Sequence, residues 1–342
     1  MDLIRPTDGA SGEDGTARTP DGRRPATARA VAALLLVALA ALIPLLGPSV
    51  TLDGTGEAAA PGVDGIGLLR ALLFGALCVP VGELFVRRLA DRLPGVRPER
   101  ARSWGPYAAG VGFVAALGLA SVVATGNLVP HSLAAIDVGG LYASRDGKLA
   151  LLEVNGFAAA GLCALSARPA TQIWPLAAVA VAEALRAHPA PELDPLTGSA
   201  LTFVHLTCAA LWVGGLLYVL RTLSLWGAAR DAGVALLGLY ARVAAVLLAL
   251  ITATGIWSTL RRMPPDTVLD QLASTAYGRT LLAKVILVAA VAVLALWARL
   301  RLRRAADPLT ACSPARAEVV ALGLVVAVSG LLTALPVPIR WT

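Results

Sequence analysis

Apolar residues in this chain run on rather than alternate. Stretches rich in Ala, Leu and Val recur from residue 30 to residue 335, divided by short segments holding Arg, Asp, Gly and Pro. A half-wet strand shows a period of two, whereas unbroken runs of this length fit helices. A hydrocarbon core about 30 Å thick needs about 20 apolar residues per helix. Backbone groups at that depth must bond within the protein, which leaves helices or a closed barrel. The runs predict spans at 30–46, 65–86, 104–126, 148–167, 170–187, 199–220, 234–259, 278–298 and 316–335. The expected fold class is therefore all-α, a polytopic membrane helical bundle of about nine transmembrane helices. Residues 1–27 hold few large apolar side chains and read as a disordered cytoplasmic tail. The first run follows Arg23, Arg24 and Arg29 as in a signal peptide, but no small-residue cleavage site follows closely, so it reads as an uncleaved span.

Charge sharpens this picture. Only 15% of residues are charged, against about a quarter in soluble domains. The formal net charge of +7 does not point to nucleic acid, because the arginines sit between apolar runs and no basic patch is interleaved with aromatics. Instead they set orientation. Arg87, Arg88, Arg92, Arg221, Arg230, Arg299, Arg301, Arg303 and Arg304 fall in alternate loops, and Asp53, Asp64, Asp137, Glu192, Asp194 and Asp266 in the others. The positive-inside rule thus predicts a cytoplasmic N-terminus and an external C-terminus. Arg261 and Arg262 are a basic pair on the wrong side.

Two stretches share a spacing. Gly147-Lys148-Leu149 leads through Glu153 to Arg168, and Gly278-Arg279-Thr280 leads through Lys284 to Arg299. The following spans end alike, in His188-Pro189-Ala190-Pro191 and Leu335-Pro336-Val337-Pro338. The pattern predicts two parallel four-helix repeats plus one N-terminal helix, with residues 28–187 as the N-terminal transmembrane half and 199–338 as the second. Transporters with parallel repeats place their sites at the repeat interface.

The candidate chemistry is sparse. All three histidines, His131, His188 and His205, fall on the predicted outer side, as does Met263. Cys208 lies three residues after His205 and shares its helical face, a face continued by Trp212 and Gly215. Imidazole and soft sulfur are ligands that copper prefers. Loop histidines are usually just solvated, but His205 lies inside a span, where polar groups tend to be buried and functional. No CxxC occurs, so neither a disulfide framework nor a zinc ribbon is expected. Among ionisable residues inside spans, Glu153 and Lys284 match in repeat position and are opposite in sign, so they are expected to pair. Glu83, Arg242 and Glu318 lie toward the inner side as a second expected cluster. No catalytic constellation and no Walker motif appear, so the chain is not expected to be an enzyme or to use ATP directly.

The stretch Phe203-Val204-His205-Leu206, followed by Ala209-Ala210-Leu211-Trp212-Val213-Gly214-Gly215-Leu216, resembles a helix of the copper resistance protein D (CopD) family. Tyr240-Ala241-Arg242 with Thr254-Gly255, Tyr277-Gly278-Arg279 with Leu281-Leu282-Ala283-Lys284, and Glu318 with Leu335-Pro336 resemble the helices after it. The resemblance covers residues 199–338. It implies an inner-membrane protein that moves or handles copper, served by a CopC-like periplasmic copper-binding protein, with His205 as the leading ligand. Departures exist: Trp297 stands where the family often has Asn, methionine is scarce, and no CopC-like domain is fused. Two competing readings use the same residues. One is an electron-transfer protein binding haem b through His205 and His188 or His131. The other is a copper-insertion factor for a respiratory oxidase.

Overall fold

A computed structural model describes residues 26–93, 101–130, 132–189, 192, 194–226, 230–263, 265–304 and 312–336. Most of the expected tail, and His131, lie outside the described residues. The chain is an all-α polytopic bundle with no strand among those residues. Its helices are α1 (Ala26–Leu52), α2 (Val63–Ala90), α3 (Gly105–Ala124), α4 (Val138–Ala143), α5 (Arg145–Leu165) and α6 (Ile173–Arg186). They continue as α7 (Pro195–Leu225), α8 (Arg230–Arg262), α9 (Val268–Ser274), α10 (Ala276–Arg304) and α11 (Cys312–Ala334).

Every expected span falls on a helix, but among the described residues seven of these helices are long and apolar enough to cross a membrane: α2, α3, α5, α7, α8, α10 and α11. Helix α6 has 14 residues, a rise of about 21 Å. The apolar part of α1 among the described side chains, Ala38–Leu52, is also short. Val246, Ile256, Ile286 and Val293 are more than half exposed on the outside of the bundle. An apolar surface of that extent belongs against lipid rather than water. The chain divides into two compact units inside α1, between Ala38 and Leu39, and α2 to α11 all lie in the second.

Within that unit part of the packing recurs, although the close approach of α3 to α5 has no comparable counterpart between α8 and α10. In the first half α2 packs on α3, α3 on α5 and α5 on α6; in the second, α7 packs on α8 and α10 on α11. Helices α2 and α7 meet at the centre, and each also takes the last helix of the other half, α11 on α2 and α6 on α7. Glycine permits the central approach: a Cβ on Gly82 would collide with the Gly214 backbone, and one on Gly214 with the Cys78 carbonyl. Small residues allow this closeness in lipid, where packing drives association.

The repeat extends to a detail that sequence spacing did not reveal. Each long third helix is preceded by a short one, α4 or α9, and one extended residue, Ser144 or Thr275. The Ser144 hydroxyl accepts from Gly147 N–H at 3.0 Å, and the Thr275 hydroxyl from Gly278 N–H at 2.9 Å. Both glycines press against the preceding short helix, at Leu141 and at Gln271, so closely that a Cβ would overlap its backbone. The same side-chain cap and the same missing Cβ thus make the same corner twice.

Candidate functional site

A cavity of about 540 Å³ lies at the end of the bundle where α6 finishes and α7 begins. It is bounded by α2, α6, α7, α8, α10 and α11, and the connection after α6 contributes Ala187 and Pro189 to its wall. The shortness of α6 explains this. The helix stops after 14 residues, and the irregular backbone that follows it lines the cavity.

His205 projects from α7 into this space. Its Nδ1 is 3.0 Å from the Thr254 hydroxyl on α8. That hydroxyl has one proton, and it is placed to donate it to the Leu250 carbonyl at 2.7 Å or to that of Ile251 at 3.1 Å. Where it donates to either carbonyl it accepts from His205 Nδ1–H, the tautomer that leaves the lone pair on Nε2. A fixed tautomer of this kind is how a neighbouring group readies an imidazole as a ligand.

His188 is arranged differently. Both ring nitrogens are engaged: Nδ1 with the Glu192 carboxylate at 2.7 Å and Nε2 with the Thr202 hydroxyl at 2.9 Å. The ring is buried, and a Cβ on Gly198 would collide with it. Burial, helped by Arg261 and Arg262 and opposed by Glu192, draws its pKa below the usual imidazole value. His188 fastens the α6–α7 connection and offers no free nitrogen to the cavity.

The buried charges overturn one expectation. Glu153 pairs with Arg186 at 2.5 Å, not with Lys284. Arg186 also lies 4.0 Å from Glu183, which pairs with Arg70 at 3.2 Å. Two acids and two arginines thus form a chain of ion pairs within the first half. Lys284 lies on α10 and lines the cavity instead, interacting electrostatically with His205 and with Arg262. The expected inner cluster also fails at Glu83, which holds Arg87 at 2.6 Å and accepts the Trp104 N–H at 3.1 Å.

The Arg261–Arg262 pair now has a structural account. Arg261 donates to the Asp194 carbonyl at 2.9 Å and lies 3.7 Å from its carboxylate and 3.9 Å from Glu192. Arg262 turns the other way, lines the cavity and donates to the Tyr277 hydroxyl at 3.1 Å. The wall therefore carries Arg70, Arg186, Arg262 and Lys284. The first two have carboxylate partners; among the described residues, Arg262 and Lys284 have none.

The remaining candidate ligands do not converge on His205. Met263 is fully buried in an apolar cluster with Tyr277 and Leu332, because the turn after α8 folds it inward. Cys208 is buried against Trp212 and Leu216 and is absent from the cavity wall, because the wall runs along Thr202, Leu206, Ala209 and Val213, on the other side of His205 from Cys208. The thiol at the wall is that of Cys78 on α2, which nothing in its local sequence marked. No group of three or more His, Cys, Asp or Glu side chains among the described residues is placed to hold a metal ion.

A family model described as Copper resistance protein D matches residues 234–332. The matched segment holds most of α8, all of α9 and α10, and most of α11, and so includes Thr254, Arg262, Tyr277 and Lys284. It begins after His205. No curated protein and no solved structure matches the chain.

Proposed function

We propose that this is a copper-handling protein of the cytoplasmic membrane, and that copper enters the cavity as cargo at His205. One observation carries the reading: His205, its Nδ1 3.0 Å from the Thr254 hydroxyl, lines a cavity large enough for a hydrated or complexed ion, and the tautomer that donates Nδ1–H to Thr254 has its Nε2 lone pair available to that ion. The match of the copper resistance family model to α8–α11 supports it, because those helices supply Thr254 and much of the cavity wall. The donor set fits cargo better than a resident metal. One oriented imidazole, with the Cys78 thiol elsewhere on the wall, holds an ion without a closed cage, and an ion that must leave requires that. Copper accepts both donor types.

By the positive-inside rule the N-terminus is cytoplasmic, and the cavity opens toward the outside. A CopC-like carrier there would deliver or collect the ion. Tolerance of copper and import of copper both fit. A bis-imidazole haem b site finds no favouring observation, since both nitrogens of His188 are committed.

The test is copper uptake with bound-metal analysis on membranes matched for protein content. His205→Ala is expected to lower both about tenfold or more, the loss of one good ligand. His188→Ala is expected to weaken them less, by disturbing the connection. Normal uptake and metal content in His205→Ala sink the site assignment. A reporter fused at Pro308 is expected to work in its cytoplasmic form; activity of the external form there reverses the orientation.

A further inference from the structure

We propose that the cavity is also an anion site. An organic oxyanion, a carboxylate in the first instance, places its head between Lys284 and Arg262 and its apolar body against Phe74, Leu206, Trp212 and Val288. The inference stands on the charge arrangement and does not require copper.

A cation taken out of water is expensive unless an opposite charge and hydrogen bonds replace the solvent. This cavity shows both outcomes. On one wall carboxylates within the protein meet much of the cost, because Arg70 and Arg186 pair with Glu183 and Glu153. On the other, Lys284 has no hydrogen bond or ion pair among the described residues. Arg262 has a single polar partner, the Tyr277 hydroxyl, and its buried Nε has none. Two neighbouring cations without an anion are the complement of a bound anion. The guanidinium offers a planar fork that matches an oxyanion, and Tyr277 fixes its direction.

The size and lining of the space extend the ligand beyond a simple ion. Much of the wall is aromatic and aliphatic, with few polar groups to fix orientation, as in sites for small organic molecules. An amphiphilic anion satisfies both parts of the wall. It could come from the membrane or from solution, and the chemistry of its head is the same. Sharing the cavity with His205, such an anion would also supply a second ligand for copper, which the protein alone does not place there.

The experiment uses the full chain, purified in detergent and stripped of metal by a chelator. Calorimetric titrations compare hexanoate with hexanol and hexylamine, which share its chain, and with inorganic phosphate. Hexanoate is expected to bind one per chain, and hexanol and hexylamine much more weakly. Lys284→Met and Arg262→Met are each expected to weaken hexanoate about tenfold or more, the loss of one charge-assisted contact. Lys284→Arg retains most of it, which separates loss of charge from loss of fold. The protein is free of metal throughout, so failure of the copper reading leaves this result standing. Phosphate that displaces hexanoate supports a free solute anion as the source; phosphate that does not supports a membrane-derived amphiphile. The proposal is overturned if neither anion binds, if hexanol binds as tightly as hexanoate, or if Lys284→Met binds unchanged.

Discussion

The two halves of the bundle solve the same helical problem and then treat buried charge in opposite ways. Their corners are alike, Ser144 with Gly147 in one and Thr275 with Gly278 in the other. Yet Glu153, six residues past the first glycine, is paired with Arg186, whereas Lys284, six past the second, has no ion partner among the described residues. Counting back from Pro189 and Pro336, the partner Arg186 corresponds to Thr333, and Glu183 corresponds to Gly330. Gly330 lies against α2 so closely that a Cβ would overlap Ala71. The first half has thus closed its polar core with four side chains. The second keeps small or neutral residues at the matching places, and a cavity with two unmatched cations and an oriented imidazole results. The scaffold alone does not make a site; the absence of neutralising partners does.

Breaking the closed half is the largest expected effect. Removing one member of a buried ion pair leaves a lone charge and costs about 3–5 kcal/mol. Glu153→Gln and Arg186→Met are each expected to lower thermal stability in detergent by that order, and the double variant by less than the sum of the two. Lys284→Met is expected to be neutral or stabilising, because it removes a charge that lacks a protein partner. If Lys284→Met destabilises as much as Glu153→Gln, the two halves do not differ as described.

The contrast was only half legible in the sequence. Unbroken apolar runs identified the helices, because lipid imposes a composition that no other environment selects. The equal spacing of Gly147 to Glu153 and Gly278 to Lys284 exposed the repeat. Matching positions in a repeat, however, do not imply contact. Equivalent residues of parallel halves occupy equivalent places, each facing its own neighbours, so Glu153 met Arg186 from the next helix of its own half. The candidate ligands divided for a similar reason. His205 was readable because a histidine in an apolar run is conspicuous, but its partner Thr254 is an ordinary helical threonine 49 residues away. Cys208 lies one turn from His205, and Met263 is expected on the same outer side, yet both turn into apolar packing. Cys78 reaches the cavity only because α2 and α7 approach through glycine.

The threonine sharpens the comparison on the open side. Thr254→Val keeps the shape of the side chain and removes the acceptor for His205 Nδ1–H, so the imidazole is free to flip or change tautomer. Loss of such a supporting contact costs about 10–100-fold in metal affinity. Copper bound by the purified protein is expected to weaken by that order, with stability little changed. Unaltered affinity in Thr254→Val would show that the threonine does not orient the ring.

The smallest expected effect concerns pH and distinguishes the two histidines by position. His188 holds the connection between the halves, outside the spans, and burial lowers its pKa from the usual value. The unfolded chain therefore binds a proton at His188 more readily than the folded one does, so stability rises with pH across the imidazole range. Acidification through about pH 6.5, the ordinary value for a free imidazole, progressively removes stability until the folded-state ring also titrates. Asp194, at the start of α7, has a lowered pKa through its bond with Thr197. Its contribution is complete above the ordinary carboxylate range and is lost only in stronger acid, so it adds no slope near neutrality. His188→Gln keeps an amide N–H for Glu192 and a group for Thr202 but cannot titrate. Melting temperature measured between about pH 7.5 and 5.5, spanning that imidazole value, is expected to fall for the parent chain and to fall less for His188→Gln. Equal slopes in the two proteins would mean that protonation of His188 is not opposed by folding, and that the connection tolerates a charged ring.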